Sequence, residues 1–310
     1  MRILVLGAGG TGGYFGGRLV ESGADVTFLV RPARAARLAA GGLTVRSPTG
    51  DIHTPVKTVT ADTVTPAYDL IVLSCKAYDL DGAIAALASA LAPQAAVLPL
   101  LNGLGHFERL QAAFGAGRVL GGLCHIAVTL GAGGEIRHLN QVHALTFGEL
   151  AGGTGERIAA ISDVFCRARF DSRPSADVLQ DVWEKYVFLA TLAGITCLLR
   201  ANVGTILATT EGEALARELL AECGAVATAA GRPPRPEAVD SALRFLTDRD
   251  SSLTASMLRD LEAGGRTEGD HVLGDLLRRA RALGVATPLL RVAVCHLQAY
   301  EARRAREAGR

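Results

Sequence analysis

Residues 2–12 read Arg2-Ile3-Leu4-Val5-Leu6-Gly7-Ala8-Gly9-Gly10-Thr11-Gly12, and this stretch decides the fold. A short run of β-branched and leucine residues stops on glycines, and a helical pattern from Thr11 to Ser22 begins at once. A second apolar run, Asp25 to Val30, follows that helix. The glycines match Gly-x-Gly-x-x-Gly at the first strand-to-helix turn of a βαβ unit, and there each has its own task. Gly7 makes the tight turn, Gly9 lets a pyrophosphate approach the backbone, and Gly12 lets the helix pack closely on the strand. The helix start at Gly10 and Thr11 offers free N–H groups and a partial positive charge to phosphates. The bland alternative is a glycine turn that only packs a helix on a sheet.

Outward from this unit the alternation continues. Tyr68 to Ser74 and Ala95 to Leu101 are short apolar runs, the second preceded by a helical stretch from Leu80 to Leu91. Runs without strict alternation suit parallel strands covered on both faces, so an α/β, Rossmann-type doubly wound sheet is expected. Leu43 to Arg46 and Asp51 to Thr54 flank Ser47-Pro48-Thr49-Gly50 and read as a hairpin inserted into that sheet domain. Leu120 to Leu130 and Ala144 to Glu149 are strand-like, with the glycine-rich turn Gly131 to Gly134 between them. From Val178 onward helical patterns dominate: Val178–Leu199, Thr210–Ala230, Pro236–Thr247, Ser252–Ala263, Thr267–Leu283 and Thr287–Arg306. Two domains are expected, a nucleotide-binding one over residues 1–175 and an all-helical substrate and catalytic one over 176–310.

Composition narrows the partners. The 310 residues carry 32 basic and 31 acidic side chains, for a net charge of +1. That balance argues against a nucleic acid or a membrane surface as partner, since either needs a clustered basic excess. The six cysteines are scattered and mostly lie in apolar runs, which suggests buried free thiols in a reducing compartment. The seven histidines lack metal-ligand spacing, and His138 with His143 reads as part of a hairpin, so no metal is expected. The chain enters a strand directly and no uninterrupted apolar run reaches about 18 residues, so a soluble cytoplasmic protein is expected. The apolar helices of the second half serve either as core or as a homodimer face.

Candidate site residues follow from strand ends. The second strand ends Phe28-Leu29-Val30-Arg31, with no carboxylate to bind the ribose hydroxyls of NAD. A guanidinium at Arg31 suits a phosphate instead, so NADP(H) is the expected cofactor. Arg34 stays open between a phosphate contact and a solvated helix charge. Lys76 and Asn102 each follow a buried strand, where open α/β sheets bind ligands. In the helical half, Lys185 sits within Trp183-Glu184-Lys185 on an apolar helix, either snorkelling at the surface or placed as a donor. Thr267 can cap a helix with Glu268 and Asp270 in its first turn.

Together these pieces resemble the ketopantoate reductase (2-dehydropantoate 2-reductase) family over nearly the whole chain. The resemblance rests on Gly7-x-Gly9-x-x-Gly12, Arg31, Ser74-Cys75-Lys76-Ala77 and Asn102-Gly103-Leu104-Gly105. It continues through Trp183-x-Lys185, Ser256-Met257-Leu258, Arg266-Thr267-Glu268-Gly269-Asp270 and Leu276-Leu277-Arg278-Arg279-Ala280. It implies NADPH-dependent reduction of a 2-oxo acid to a 2-hydroxy acid, with ketopantoate, the precursor of pantoate in pantothenate biosynthesis, as the default substrate. It also implies Lys185 as general acid, Glu268 as active-site glutamate, Ser256 as substrate-binding serine, and Lys76 and Asn102 on the nucleotide side of the cleft. Asn102 is expected to hold either Lys185 or the nicotinamide. One departure stands out: where members that reduce ketopantoate carry asparagines four and eight residues after the lysine, this chain has Leu189 and Ala193. A less polar 2-oxo acid is therefore the alternative substrate. A non-catalytic NADP-binding sensor is the alternative from another class, and the presence of both Lys185 and Glu268 counts against it.

Overall fold

The computed structural model describes residues 1–308. In the first half the elements run β1 (Arg2–Leu6), α1 (Gly10–Glu21), β2 (Asp25–Leu29), α2 (Pro32–Gly41), β3 (Leu43–Arg46), β4 (Ile52–Thr54) and β5 (Lys57–Val59). They continue with β6 (Tyr68–Leu73), α3 (Leu80–Leu87), β7 (Leu91–Pro99), α4 (Gly105–Phe114), β8 (Leu120–Leu130), β9 (Ile136–Glu149), α5 (Glu156–Phe165) and β10 (Asp171–Pro174). A parallel sheet is ordered β5-β2-β1-β6-β7, with β1 pairing β2 on one side and β6 on the other. The connection reverses direction at β1, so a crevice opens beyond the carboxyl ends of β1 and β6. The glycine loop leaves β1 there, and Ser74 to Lys76 leaves β6 there. Ile3, Val5, Phe28, Leu70, Val72 and Leu98 are buried in the core of this unit, joined by Tyr14 and Phe15 of α1.

The hairpin β3–β4 forms as expected, antiparallel from Leu43↔Thr54 to Val45↔Ile52. It does not join the parallel sheet. Instead β3 pairs β9 in a second sheet, ordered β10-β9-β3-β4, with β8 along β9. Strand β9 begins at Ile136, eight residues before the strand expected from Ala144, because its middle carries polar residues exposed to solvent. Pairing with β8 holds β9 on either side of residues 139–142, at 136–138 and 143–149, with a register shift between Ile126 and Val128. The short helix α2 escaped the sequence pattern because only Leu38 on it is buried.

The second half is helical: α6 (Val178–Leu199), α7 (Val203–Leu207), α8 (Gly212–Ala229), α9 (Pro236–Leu246), α10 (Ser256–Glu262), a π turn (Asp270–Gly274), α11 (Asp275–Ala282) and α12 (Pro288–Ala308). α10 starts later than the expected Ser252. The carbonyls of Ser251 and Leu253 accept from Gly204 and Val203 instead, which keeps that segment extended. The expected helix from Thr267 is likewise delayed, since Thr267 gives its N–H and hydroxyl to Glu301 Oε1 at 2.6 and 2.8 Å.

By contacts the chain forms two compact units, Met1–Leu101 with His106–Leu179, and Asn102–Gly105 with Gln180–Arg310. This differs from a division at residue 175 in two places. The first turn of α6 stays with the sheets because Val178 fills the space left by the missing side chains of Gly121 and Gly148. The Asn102–Gly105 loop clusters with the helices because its polar partners lie there, as described below. Helix α6 is long and apolar enough by composition to cross a membrane, with Glu184 and Lys185 interrupting its apolar run. All of residues 190–197 are buried, as in a core helix of a compact unit. All six cysteines are free; Cys124, Cys197 and Cys223 are buried, but Cys166 and Cys295 are exposed, correcting the expectation of buried thiols for those two. Cys295 lies on α12 opposite the buried stripe of Leu290, Ala293, Val294 and Leu297.

Candidate active site

The nucleotide-side residues all belong to the first unit apart from Asn102. Gly7 adopts φ +92° and donates its N–H to the Leu29 carbonyl at 3.0 Å, pinning the turn to the end of β2. A Cβ on Gly12 would collide with Ser74 Oγ and the Gly7 carbonyl, so helix α1 sits hard against the loop and the end of β6. A Cβ on Gly9 would meet nothing within 4 Å, which leaves the loop backbone open on the side a phosphate needs. α1 has no side-chain cap, so its first N–H groups, from Gly10 and Thr11, are left for a ligand. This arrangement fits a dinucleotide pyrophosphate.

Arg31 ends β2 with 84% of its side chain exposed and only a 3.3 Å contact to Asp79 Oδ1. An exposed pair of this kind contributes little, so the guanidinium is free to turn to a phosphate. Lys76 follows β6 and starts the single-turn helix Ala77–Asp79, half-buried at the same crevice. Arg34 is held by backbone carbonyls on two sides. Its Nε and Nη2 donate to the Ala8 carbonyl at 3.2 and 2.9 Å, and its Nη1 donates to the Gly134 carbonyl at 2.9 Å. It thus braces the glycine loop against the turn between β8 and β9. Burial, and then the neighbouring charge of Arg37, pull the Arg34 guanidinium below the ordinary arginine value. On that side of α2, Arg34, Arg37, Arg46, Arg137 and Glu135 line a concavity of about 490 Å³ with excess positive charge.

The second unit holds the lysine. Lys185 Nζ donates to Asn102 Oδ1 at 3.1 Å, although 83 residues separate the two. Its neighbour Glu184 is engaged elsewhere, accepting from Arg235 Nε at 2.7 Å and from Gln180 Nε2 at 3.0 Å. Burial raises the Glu184 carboxyl, but the bonds from Arg235 and Gln180 outweigh that and hold it below the usual glutamate value. Asp181 takes the same guanidinium at 2.5 Å, so Arg235 clamps the loop before α9 onto the first turns of α6. Leu189 is half-buried and Ala193 buried, so neither restores an amide to the lysine's helix face. The Thr191 and Thr196 hydroxyls are spent on the carbonyls of Val187 and Leu192.

Ser256 is exposed at the start of α10, next to Ala255, whose N–H approaches Thr196 Oγ1 at 3.5 Å. Glu268 is buried, 9% exposed, and its carbonyl accepts from the Val272 N–H at 2.9 Å, tying it to the π turn. Two further residues, His271 and Tyr186, join the site. His271 Nε2 lies 3.0 Å from the Asn102 carbonyl, and Tyr186 Oη donates to the Val272 carbonyl at 2.6 Å. A histidine directly after the Thr267-Glu268-Gly269-Asp270 motif was the available signal. The hairpin histidines are structural: His138 Nδ1 bonds Ser47 Oγ at 2.9 Å and His143 Nδ1 bonds Tyr14 Oη at 2.7 Å. Among the described residues no group of three or more His, Cys, Asp or Glu is arranged to hold a metal ion.

Comparison with known proteins agrees with both halves. Residues 3–152 match the model "Ketopantoate reductase PanE/ApbA", and residues 177–301 match its C-terminal counterpart. The chain is 40% identical over 302 residues to YkpB, an uncharacterized oxidoreductase of Bacillus subtilis (strain 168), covering 97% of this chain and 99% of that one. It is 30% identical over 293 residues to a 2-dehydropantoate 2-reductase of Halobacterium salinarum, covering 94% and 96%. A crystal structure of 2-dehydropantoate 2-reductase from Geobacter metallireducens GS-15 superposes with a TM-score of 0.87 at 31% identity, covering 96% and 99%. With a dinucleotide loop in one unit and an amide-held lysine in the other, the chain belongs to the ketopantoate reductase family of nicotinamide-dependent oxidoreductases.

Proposed function

We propose that this protein reduces a 2-oxo acid to a 2-hydroxy acid with NADPH, Lys185 serving as general acid. The observation that carries the proposal is the 3.1 Å bond from Lys185 Nζ to Asn102 Oδ1, which aims an ammonium by a neutral amide. When bound, the nicotinamide supplies the hydride. Negative charge then develops on the substrate's carbonyl oxygen, and a placed ammonium both stabilises that charge and delivers the proton from Nζ. Asn102 accepts one N–H of Lys185 and so sets the direction of the ammonium. Ser256 is assigned to the substrate carboxylate, as a hydroxyl donor. Buried Glu268 is assigned to orienting the lysine or accepting from a substrate hydroxyl. Arg31, whose only described ion pair is an exposed 3.3 Å contact to Asp79, supports a preference for NADPH over NADH.

The substrate assignment has two forms. Family membership supports ketopantoate, the precursor of pantoate. Leu189 and Ala193 favour a less polar 2-oxo acid, because two amides that would hydrogen-bond a hydroxylated substrate are absent and such contacts discriminate strongly. NADPH oxidation across a panel of 2-oxo acids that includes ketopantoate decides between them. The less polar form fails if ketopantoate reaches a kcat/KM within the usual range of about 10⁴–10⁸ M⁻¹s⁻¹ and no apolar 2-oxo acid does better. The reductase assignment itself fails if no 2-oxo acid is turned over.

A further inference from the structure

The bond from Lys185 to Asn102 is one side of a closed circuit. The Asn102 carbonyl, which can only accept, lies 3.0 Å from His271 Nε2, so that nitrogen carries the proton. The next residue, Val272, presents its carbonyl to Tyr186 Oη at 2.6 Å. Tyr186 adjoins Lys185 in the chain, and that closes the ring. Its phenol is pushed well above the ordinary value by burial and then by Asp275, so it stays protonated and donates. Three separate segments, around residues 102, 185 and 271, are thereby locked to each other through side chains and backbone.

The π turn Asp270–Gly274 makes the circuit geometrically feasible. Its extra residue shifts the helical register by roughly 100°. His271 can then face the Asn102 loop while the Val272 carbonyl faces α6. The loop is shaped to receive the ring. Gly103 has φ +82°, and a Cβ there would stand 3.4 Å from His271 Cδ2. The imidazole therefore packs on the backbone of the residue next to the one it bonds. A purely structural histidine would have no need to address the carbonyl of the very residue whose side chain accepts from Lys185.

We propose that His271 is a positioning residue: its Nε2–H fixes the Asn102 backbone so that Oδ1 aims the Lys185 ammonium. The activity consequence rests on the reductase assignment above, whereas the positioning itself does not. Misplacing a catalytic group by about 1 Å can cost on the order of 100-fold in rate. Accordingly, His271→Phe, which keeps a ring but removes the donor, should lower kcat by about 10- to 100-fold. KM for the 2-oxo acid and the Kd for NADPH should stay within about 3-fold, as expected for an interaction expressed at the transition state. His271→Gln, whose amide N–H has similar reach, should restore kcat to within about 3-fold of the wild type. Equal rates for the Phe and Gln variants, or a His271→Phe protein with unchanged kcat, would overturn the proposal in favour of simple packing.

A second readout needs no substrate. The chain has three lysines, Lys57, Lys76 and Lys185, so a protein labelled with ¹³C at lysine Cε shows three resolvable signals. The Lys185 signal, assigned with Lys185→Arg, should move in His271→Phe and return in His271→Gln. A signal indifferent to both replacements refutes the positioning role even if the enzyme is active. A wild type that turns over no 2-oxo acid refutes the reductase assignment instead and leaves this readout to decide for His271.

Discussion

The glycine loop and the lysine site are built in opposite ways. The loop is six consecutive residues, Gly7 to Gly12, and its work is done by backbone N–H groups, a positive φ and missing Cβ atoms. The lysine site draws on residues 102, 185 and 268–272, and its work is done by side chains, with the Asn102 and Val272 carbonyls as anchors. A backbone site survives most substitutions except those that add atoms to glycine. A side-chain site is sensitive to each donor and acceptor in turn. The lesson is that the two halves should break differently when perturbed, one in cofactor binding and the other in turnover.

The largest expected effect separates them most sharply. Lys185→Ala should lower kcat by about 10²- to 10⁴-fold, the usual worth of a general acid, while NADPH binds as before. Steady-state rates with a fluorescence titration of NADPH check this, and loss of NADPH binding in that variant would merge the halves the comparison keeps apart. Next, Gly12→Ala should act on the other side. Its Cβ would collide with Ser74 Oγ and the Gly7 carbonyl. Overpacking of this kind costs about 1–3 kcal/mol, so a fall in thermal stability should accompany a weakened Kd for NADPH. A variant that binds NADPH normally would contradict the close packing described for α1.

Smaller effects sharpen the picture within each half. Arg34→Gln removes the brace on the Ala8 carbonyl and should weaken NADPH and NADH alike, by about 3- to 10-fold if each lost bond is worth about 1 kcal/mol. Arg31→Ala should weaken NADPH alone, and equal losses for both dinucleotides would remove Arg31 from the phosphate role. In the helical unit the smallest effect is a pH dependence. Glu184 is held below its ordinary value of 4.5 by its bonds to Arg235 and Gln180, despite burial. A depressed carboxyl contributes stability above its unfolded value and loses it as pH falls through the lower folded one. The melting temperature of Glu184→Gln should therefore lie below wild type at neutral pH and converge with it below pH about 4.5. A gap that does not change with pH would assign the difference to packing.

Much of the first half was legible because its signals are local. Arg2–Leu6 is the same strand in pattern and in structure, and the hairpin at Leu43–Thr54 was marked by its turn residues. Its destination was not legible: β3 joins β9 through residues about 90 positions away, and period-two alternation does not say which strand it will meet. The first part of β9 carries no continuous buried run to mark it, and its pairing with β8 at 136–138 is made across the turn rather than within a few positions. Arg34 resisted assignment for a similar reason, since a guanidinium bound to two carbonyls leaves no mark on the residues beside it. Among the helices, α6 was legible to the residue because its sequence is apolar over most of its length, while the delayed starts of α10 and α11 depend on partners in α7 and α12.

Residue order alone determined the dinucleotide loop, the absence of a carboxylate at the end of β2, the helical second half and the departure at Leu189 and Ala193. These follow from steric and hydrogen-bonding rules that act within a few positions. Only the tertiary structure decided that Asn102 holds Lys185, that His271 and Tyr186 close the circuit around it, and that Arg34 serves the loop. Each of those contacts is a directed bond across 26 to 169 residues, and its geometry exists only after the core has placed both ends.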